Sequence, residues 1–315
     1  MSYTKYTKAQ ALTPGTTYSK MDALYTGSGN YTDGTVASDI GTPTIWWQGG
    51  TGQKSESGVV TWEDKLGDAS AEAVSPSSGV TISAGTAATN STDFTTFDGS
   101  NAYLKVDDYS RLDFNGAFEM MTLAYFDSGT AYQTIAAKDT VASAWQWVRK
   151  NNANNNVATF WMDGTDPIGA TTLALDTWHI LGVSRDSSNN VQLYLNGATD
   201  GSSVSNSTDL SGTDDFFMGT RWTGSAYTQE INGSIAEYLV WTGKSLSTAE
   251  RASAVQYIND RYFNDPVVDF TVIKSDLTTE VKKLKRNTIV QIANKGISSG
   301  SGAGFTASDC IGLTR

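Results

Sequence analysis

Trp178-His179-Ile180-Leu181-Gly182-Val183-Ser184-Arg185-Asp186, a polar turn, and then Val191-Gln192-Leu193-Tyr194-Leu195-Asn196-Gly197-Ala198 form the stretch that decides the fold. Val191, Leu193 and Leu195 alternate with Gln192 and Tyr194, the two-residue period of a strand buried on one face. Asn196-Gly197 follows at once, and both residues accept the positive φ of a type I′ turn. The stretch reads as strand, turn, strand, tight turn.

Working outward, the same pattern recurs with turn signals between the runs, as a β-sandwich requires. Strands are expected at 44–47, 59–65, 97–106, 118–126, 133–138, 145–149, 157–162, 216–221 and 233–241. Trp145 and Trp147 share one strand face and are expected to pack between sheets. One helix is expected after residue 247. Ser247 and Glu250 have the spacing of a capping box, and Ala252, Val255, Ile258 and Tyr262 recur at helical spacing. Arg251, Gln256 and Asp260 are expected on its surface.

These blocks, in this order, resemble laminin G-like domains of the concanavalin A-like lectin/glucanase superfamily, of the kind found in tailed-phage structural proteins. The opening stretch is similar to their Trp-His strand followed by an apolar-Tyr-apolar-Asn-Gly hairpin. Val59, Trp62, Asp64, Lys65 and Gly67 are similar to an early family segment. Phe97-Asp98-Gly99 with Tyr103-Leu104, Gly233 with Ile235 and Glu237, and Leu246-Ser247 with Glu250 supply the rest. The resemblance covers roughly residues 43–263. It implies an all-β fold: a concanavalin A-like jelly-roll β-sandwich of two antiparallel sheets with one C-terminal helix, plus N- and C-terminal extensions.

Composition fits such a fold. Apolar residues make up 39% of the 315, enough for a sizeable core, and charged residues only 17%. The net charge of −11 argues against nucleic acid and anionic membranes as partners. A single cysteine, Cys310, excludes an intrachain disulfide framework. The first residues have no signal-peptide core, and no apolar run reaches the ~20 residues of a membrane span. The chain is therefore expected to be made in a host cytoplasm and to end up in a virion.

Residues 1–42 read as an extended arm rich in Thr, Tyr and Gly, with a short helix near 19–25. Residues 264–315 hold seven Lys/Arg against five Asp/Glu on an otherwise acidic chain. There the pattern suggests strands at 267–273 and 288–293, and an amphipathic helix at 275–286 with Leu277, Val281 and Leu284 on one face. Tyr3 and Tyr6 in the arm, and Lys282, Lys283, Lys285 and Arg286 in the tail, are the expected anchors to other virion proteins.

Catalysis finds little support in the sequence. Glucanases of the superfamily place acidic residues on one strand face, and here no two acids stand at i, i+2. His179 is the only histidine and sits in a core strand, where a packed, hydrogen-bonded role is expected. Gly296-Ile297-Ser298-Ser299-Gly300 matches a nucleophile-elbow pattern but lacks the strand-to-helix context that gives it meaning. No cofactor is required. Calcium, bound at the sandwich rim in many family members, is retained as a candidate; Asp98, Asp107, Asp108, Asp163, Asp166, Asp214 and Asp215 fall in loops or at strand ends, with no ligand set assignable. Polysaccharide binding is the family's other habit. Trp222, Tyr227, Asn152 and Asn154 are the candidate residues.

The sequence thus leads to an expected non-enzymatic structural protein of a tailed-phage virion. It would be a capsid decoration or a tail- or fibre-associated protein, homo-oligomeric, displaying a lectin-like sandwich. The alternatives are a carbohydrate-binding module and, behind it, a glycoside hydrolase.

Overall fold

In a computed structural model, the description covers residues 40–263 except 57–58, 67–71, 75–78, 87–88, 91, 101, 128–131, 140–143 and 151–155. Beyond them it covers 267–273, 279–285, 291–292 and 311–312. The expected N-terminal arm with Tyr3 and Tyr6, the helix near 19–25, the loop residues Asn152 and Asn154, Arg286, the 296–300 motif and Cys310 lie outside the described residues.

Short alternating runs make the strands. The first are β1 (Ile45–Gln48), β2 (Gln53–Glu56), β3 (Val59–Glu63), β4 (Glu72–Val74), β5 (Val80–Ser83) and β6 (Phe94–Asp98). Next come β7 (Leu104–Val106), β8 (Phe118–Phe126), β9 (Tyr132–Lys138), β10 (Trp145–Lys150), β11 (Val157–Met162) and β12 (Trp178–Arg185). Then follow β13 (Asn190–Leu195), β14 (Ala198–Ser205), β15 (Phe216–Met218), β16 (Arg221–Trp222), β17 (Tyr227–Thr228) and β18 (Asn232–Thr242). One sheet has the order β14-β13-β12-β8-β18-β6-β5, with β1 also paired to β18; the other runs β11-β10-β9-β15-β7-β4-β3-β2. All of these pairings are antiparallel. The result is a jelly-roll sandwich.

The opening hairpin forms as its sequence dictates. Leu195 pairs with Ala198 across Asn196 and Gly197, whose φ values are +51° and +85°. Asn196 also ties the turn to β12, its Oδ1 accepting from the Ile180 amide at 3.1 Å.

Strand alternation separates two cores. Along β8, Phe118, Met120, Ala124 and Phe126 face the opposing sheet, where they meet Trp145, Trp147, Phe160 and Phe216. Trp145 and Trp147 pack between the sheets as their spacing predicts. Met121 and Leu123 point the other way, into a second cluster with Ile180, Leu239 and Trp241. Helix α1 (Thr248–Tyr262) covers that cluster through Ala254, Tyr257, Ile258 and Tyr262. β8 is consequently covered on both faces, which explains why eight of its nine residues are buried.

The helix begins as expected: Ser247 accepts from the Glu250 amide, and Glu250 reaches back to the Ser247 amide. Its buried face differs from the expected stripe. Ala252 is exposed, and Arg251 is buried. The cause is Glu119, which points outward from β8 and is fully buried. Arg251 donates to both its oxygens, at 2.7 and 2.9 Å, and the guanidinium lies 4.0 Å from the Tyr194 ring. A charged pair, invisible to apolar periodicity, sets the helix rotation.

The expected strand at 216–221 is broken. β15 stops at Met218, and Gly219 has φ +88°. A Cβ there would stand 2.7 Å from the Phe97 ring. Only glycine lets the chain turn at this distance, and β16 starts a separate hairpin.

Contacts group Val36–Phe263 into one unit, and Met1–Thr35 with Asn264–Arg315 into another. In the second unit the expected helix at 275–286 is overturned. β19 (Val267–Ile273) pairs antiparallel with β20 (Thr279–Lys285), with Asp269 opposite Lys283 and Val272 opposite Glu280. Lys282, Lys283 and Lys285 are therefore strand residues. The β-branched run of β19 offers a partner that the helical spacing of Leu277, Val281 and Leu284 cannot outcompete. β21 (Gln291–Ile292) pairs with β22 (Ile311–Gly312); Gln291 and Ile292 are the described residues of the strand expected at 288–293.

Candidate functional site

The β16–β17 hairpin presents the best candidate surface. Trp222 stands opposite Tyr227 in its register, with ring centroids 4.5 Å apart. Tyr227 stacks on Tyr103 at 4.2 Å, and Phe217 of β15 meets both tyrosines edge-on, at 5.7 and 5.8 Å. The turn between the strands is held by Thr223, whose amide donates to the Ala226 carbonyl at 3.0 Å. Gly224 there has φ +83°. Tyr103 is buried, whereas Trp222 and Tyr227 are half-buried and residues 223–226 exposed. The stack is thus rooted in the sheet and open at its tip.

Beside it lies an ion pair. Arg221 Nε meets Asp139 Oδ2 at the end of β9. Burial, followed by the opposing pull of Arg221 and the push of nearby Asp214, raises the Asp139 carboxyl to about 6. Burial also raises the Tyr103 hydroxyl, with Tyr227 adding to it. An aromatic platform flanked by a donor and an acceptor can stack on a sugar ring and bond its hydroxyls.

Of the residues expected from sequence, Trp222 and Tyr227 are brought together. Tyr103, Phe217, Asp139 and Arg221 were not anticipated. Tyr103 belongs to the Phe97–Leu104 block quoted for the family resemblance, and the approach of Asp139 to Arg221 joins segments with no local sequence signal.

His179 is buried, and its Nε2 lies 2.9 Å from the Ala174 carbonyl. Burial lowers its pKa, in part offset by that bond and reinforced by the charge of Arg149. Five of the seven acids considered for calcium have side-chain contacts within the protein. Asp107 and Asp215 both hold Lys105 at 2.8 Å, Asp108 holds Lys138 at 2.8 Å, and Asp98 and Asp166 accept from the Ser100 and Met162 amides. Among the described residues no group of three or more His, Cys, Asp or Glu gathers as a metal site.

Among the described residues two carboxylates are fully buried, and both are engaged. Glu119 holds Arg251, and Glu237 accepts from Trp46, Tyr257 and Tyr262 beneath the helix. Burial raises both pKa values against these contacts. Among the described residues, no helix is long and apolar enough to cross a membrane.

A jelly-roll sandwich with an aromatic hairpin at its surface defines a lectin-like domain. Residues 98–250, just under half of the chain, match the model of the concanavalin A-like lectin/glucanases superfamily. No curated protein sequence matches the chain. Among solved structures, the binding domain of Paraclostridial Mosquitocidal Protein 1 is similar at a TM-score of 0.51 and 11% identity, over 84% of this chain and 69% of that one. Domain 4 of AbnA, a GH43 extracellular arabinanase from Geobacillus stearothermophilus solved with arabinotriose, gives 0.49 and 15%, over 68% and 98%. Trypanosoma rangeli sialidase gives 0.49 and 11%; the match covers 67% of this chain but only 32% of the sialidase. At these identities the likeness concerns the fold.

Proposed function

We propose that the sandwich is a non-catalytic carbohydrate-binding module and that the hairpin aromatics are its platform. The observation that carries this reading is the half-buried Trp222–Tyr227 pair, stacked on buried Tyr103 with Arg221 and Asp139 alongside. A pre-stacked ring loses little freedom on binding, and its open face suits the C–H surface of a sugar. The non-catalytic part of the reading is supported by the engagement of Glu119 and Glu237 in tying the helix to the sheet. A glycan array with the full chain tests it. Binding that drops roughly tenfold in Trp222→Ala, about 1.4 kcal/mol, is the expected result. Failure to bind any glycan, or binding unchanged in that variant, sinks the reading.

For the whole chain we propose a display role on a tailed-phage particle, with the extensions fixing the sandwich to neighbouring subunits. Its support is the grouping of Met1–Thr35 with Asn264–Arg315 apart from Val36–Phe263. Deleting residues 1–42 or 264–315 is then expected to abolish particle incorporation and leave the sandwich folded. Retained incorporation after both deletions overturns the display role without touching the glycan reading.

A further inference from the structure

The inner face of the sandwich contains a cation that is unpaired among the described residues. Arg149 follows Trp145 and Trp147 on the inward side of β10 and is fully buried. Its Nε, Nη1 and Nη2 all lack a hydrogen-bond partner. The Phe126 ring lies 5.4 Å away and favours the cation, but offers no acceptor. No acidic side chain counters burial, which alone pushes the guanidinium pKa down. An arginine stays charged even so.

Two further polar groups share this end of the sandwich. His179 enters from the facing sheet, its ring 6.4 Å from Phe126. Asn156 lies two residues before Ala158, the cross-strand partner of Arg149, so alternation puts it on the same inward side. Its Oδ1 is also buried without a partner. Arg149 is one residue from the end of β10, and His179 one residue from the start of β12, so the cluster sits next to the rim.

The fold is able to satisfy a buried guanidinium. Arg185 donates to the carbonyls of Gly116, Thr208 and Phe114 at 2.8, 2.5 and 2.6 Å. Against that standard, Arg149, unpaired among the described residues, is suited to a counter-charge, because a buried charge without partners is strongly disfavoured. The planar fork of a guanidinium matches two oxygens of a carboxylate or a tetrahedral oxyanion, and the Asn156 amide oxygen can take a hydroxyl of the same ligand.

We propose that Arg149 anchors a buried binding site for a small carboxylate or oxyanion, with His179 and Asn156 at its margin. The site is separate from the aromatic hairpin and stands or falls independently of glycan binding there.

The test is thermal unfolding of the full chain titrated with sodium sulfate, acetate or glucuronate. Wild type is expected to show a saturable rise in Tm, by roughly 5 to 10 °C at a hundredfold excess over Kd. A response to sulfate or acetate identifies a free anion as the ligand, and one to glucuronate alone identifies an acidic sugar. Arg149→Met is expected to lose the saturable rise. A wild-type rise that never saturates, or one shared in full by Arg149→Met, overturns the proposal. If that variant does not fold, bromide soaked into wild-type crystals decides. Anomalous density within hydrogen-bond distance of Arg149 upholds the site, and its absence refutes it.

Discussion

β8 has a buried arginine at each end, and the two ends are built differently. Arg185 lies 5.4 Å from Phe118, the first residue of the strand, and Arg149 lies 5.4 Å from Phe126, the last. Both guanidiniums are buried on the inner face. At the Arg185 end, three backbone carbonyls from two separate loops converge on the cation. At the Arg149 end no acceptor does. Identical chemistry, set by β12 and β10 against the two ends of β8, thus serves as a structural fastener at one end and remains uncompensated at the other. Burial alone says little about what an arginine is for; the acceptors around it decide.

The sharpest way to break this comparison is to remove each cation in turn. Arg185→Met strands the carbonyls of Phe114, Gly116 and Thr208 and is expected to cost about 3–5 kcal/mol in urea unfolding. Arg149→Met removes an unpaired charge and keeps the volume, so anion-free stability is expected to hold or rise by about 1–4 kcal/mol. Equal losses in the two variants would erase the distinction.

A third cation sharpens it. Arg251 is buried and paired with Glu119, so Glu119→Gln should leave its charge without a counter-ion, with the bond from Nη2 to the Leu246 carbonyl at 2.9 Å remaining. The expected cost is about 3 kcal/mol, read from the same unfolding curves, with Arg251→Met in that background recovering part of it. No recovery in the double variant would mean that the lost Glu119 contacts, and not the stranded charge, set the penalty.

The smallest effect belongs to Arg221, whose side chain retains 30% exposure so that water shares its charge. Its partner Asp139 is raised from 3.8 to about 6. Between those values the folded state holds a proton that the unfolded state has released. Stability from this group is therefore present at low pH and falls as pH rises toward 6, by at most about 1.4 kcal/mol per pH unit. Urea midpoints at several pH values, wild type against Asp139→Asn, should diverge with that sign. An Asp139 carboxyl that titrates near its ordinary value by NMR would remove the effect.

Much of the frame was legible in the sequence. The Asn196-Gly197 turn, the inward placement of Trp145 and Trp147, and the Ser247–Glu250 capping box each follow from local rules, and each is found where those rules put it. The platform was half legible. Trp222 and Tyr227 stood out as loop aromatics, but the tyrosine beneath them comes from just before β7, more than a hundred residues earlier. The tail helix failed because helical spacing over residues 277–284 competed with a β-branched neighbour that periodicity does not weigh.

By itself, then, the sequence determined the alternating strands, their tight turns and the start of the helix, since backbone φ preferences and side-chain periods act over a few residues. Tertiary structure alone decided which charges found partners. Arg251 is drawn to Glu119, Asp139 to Arg221, and Arg185 to three carbonyls, all across long stretches of chain. Arg149 met none, because hydrogen-bond satisfaction depends on which segments the sandwich brings together.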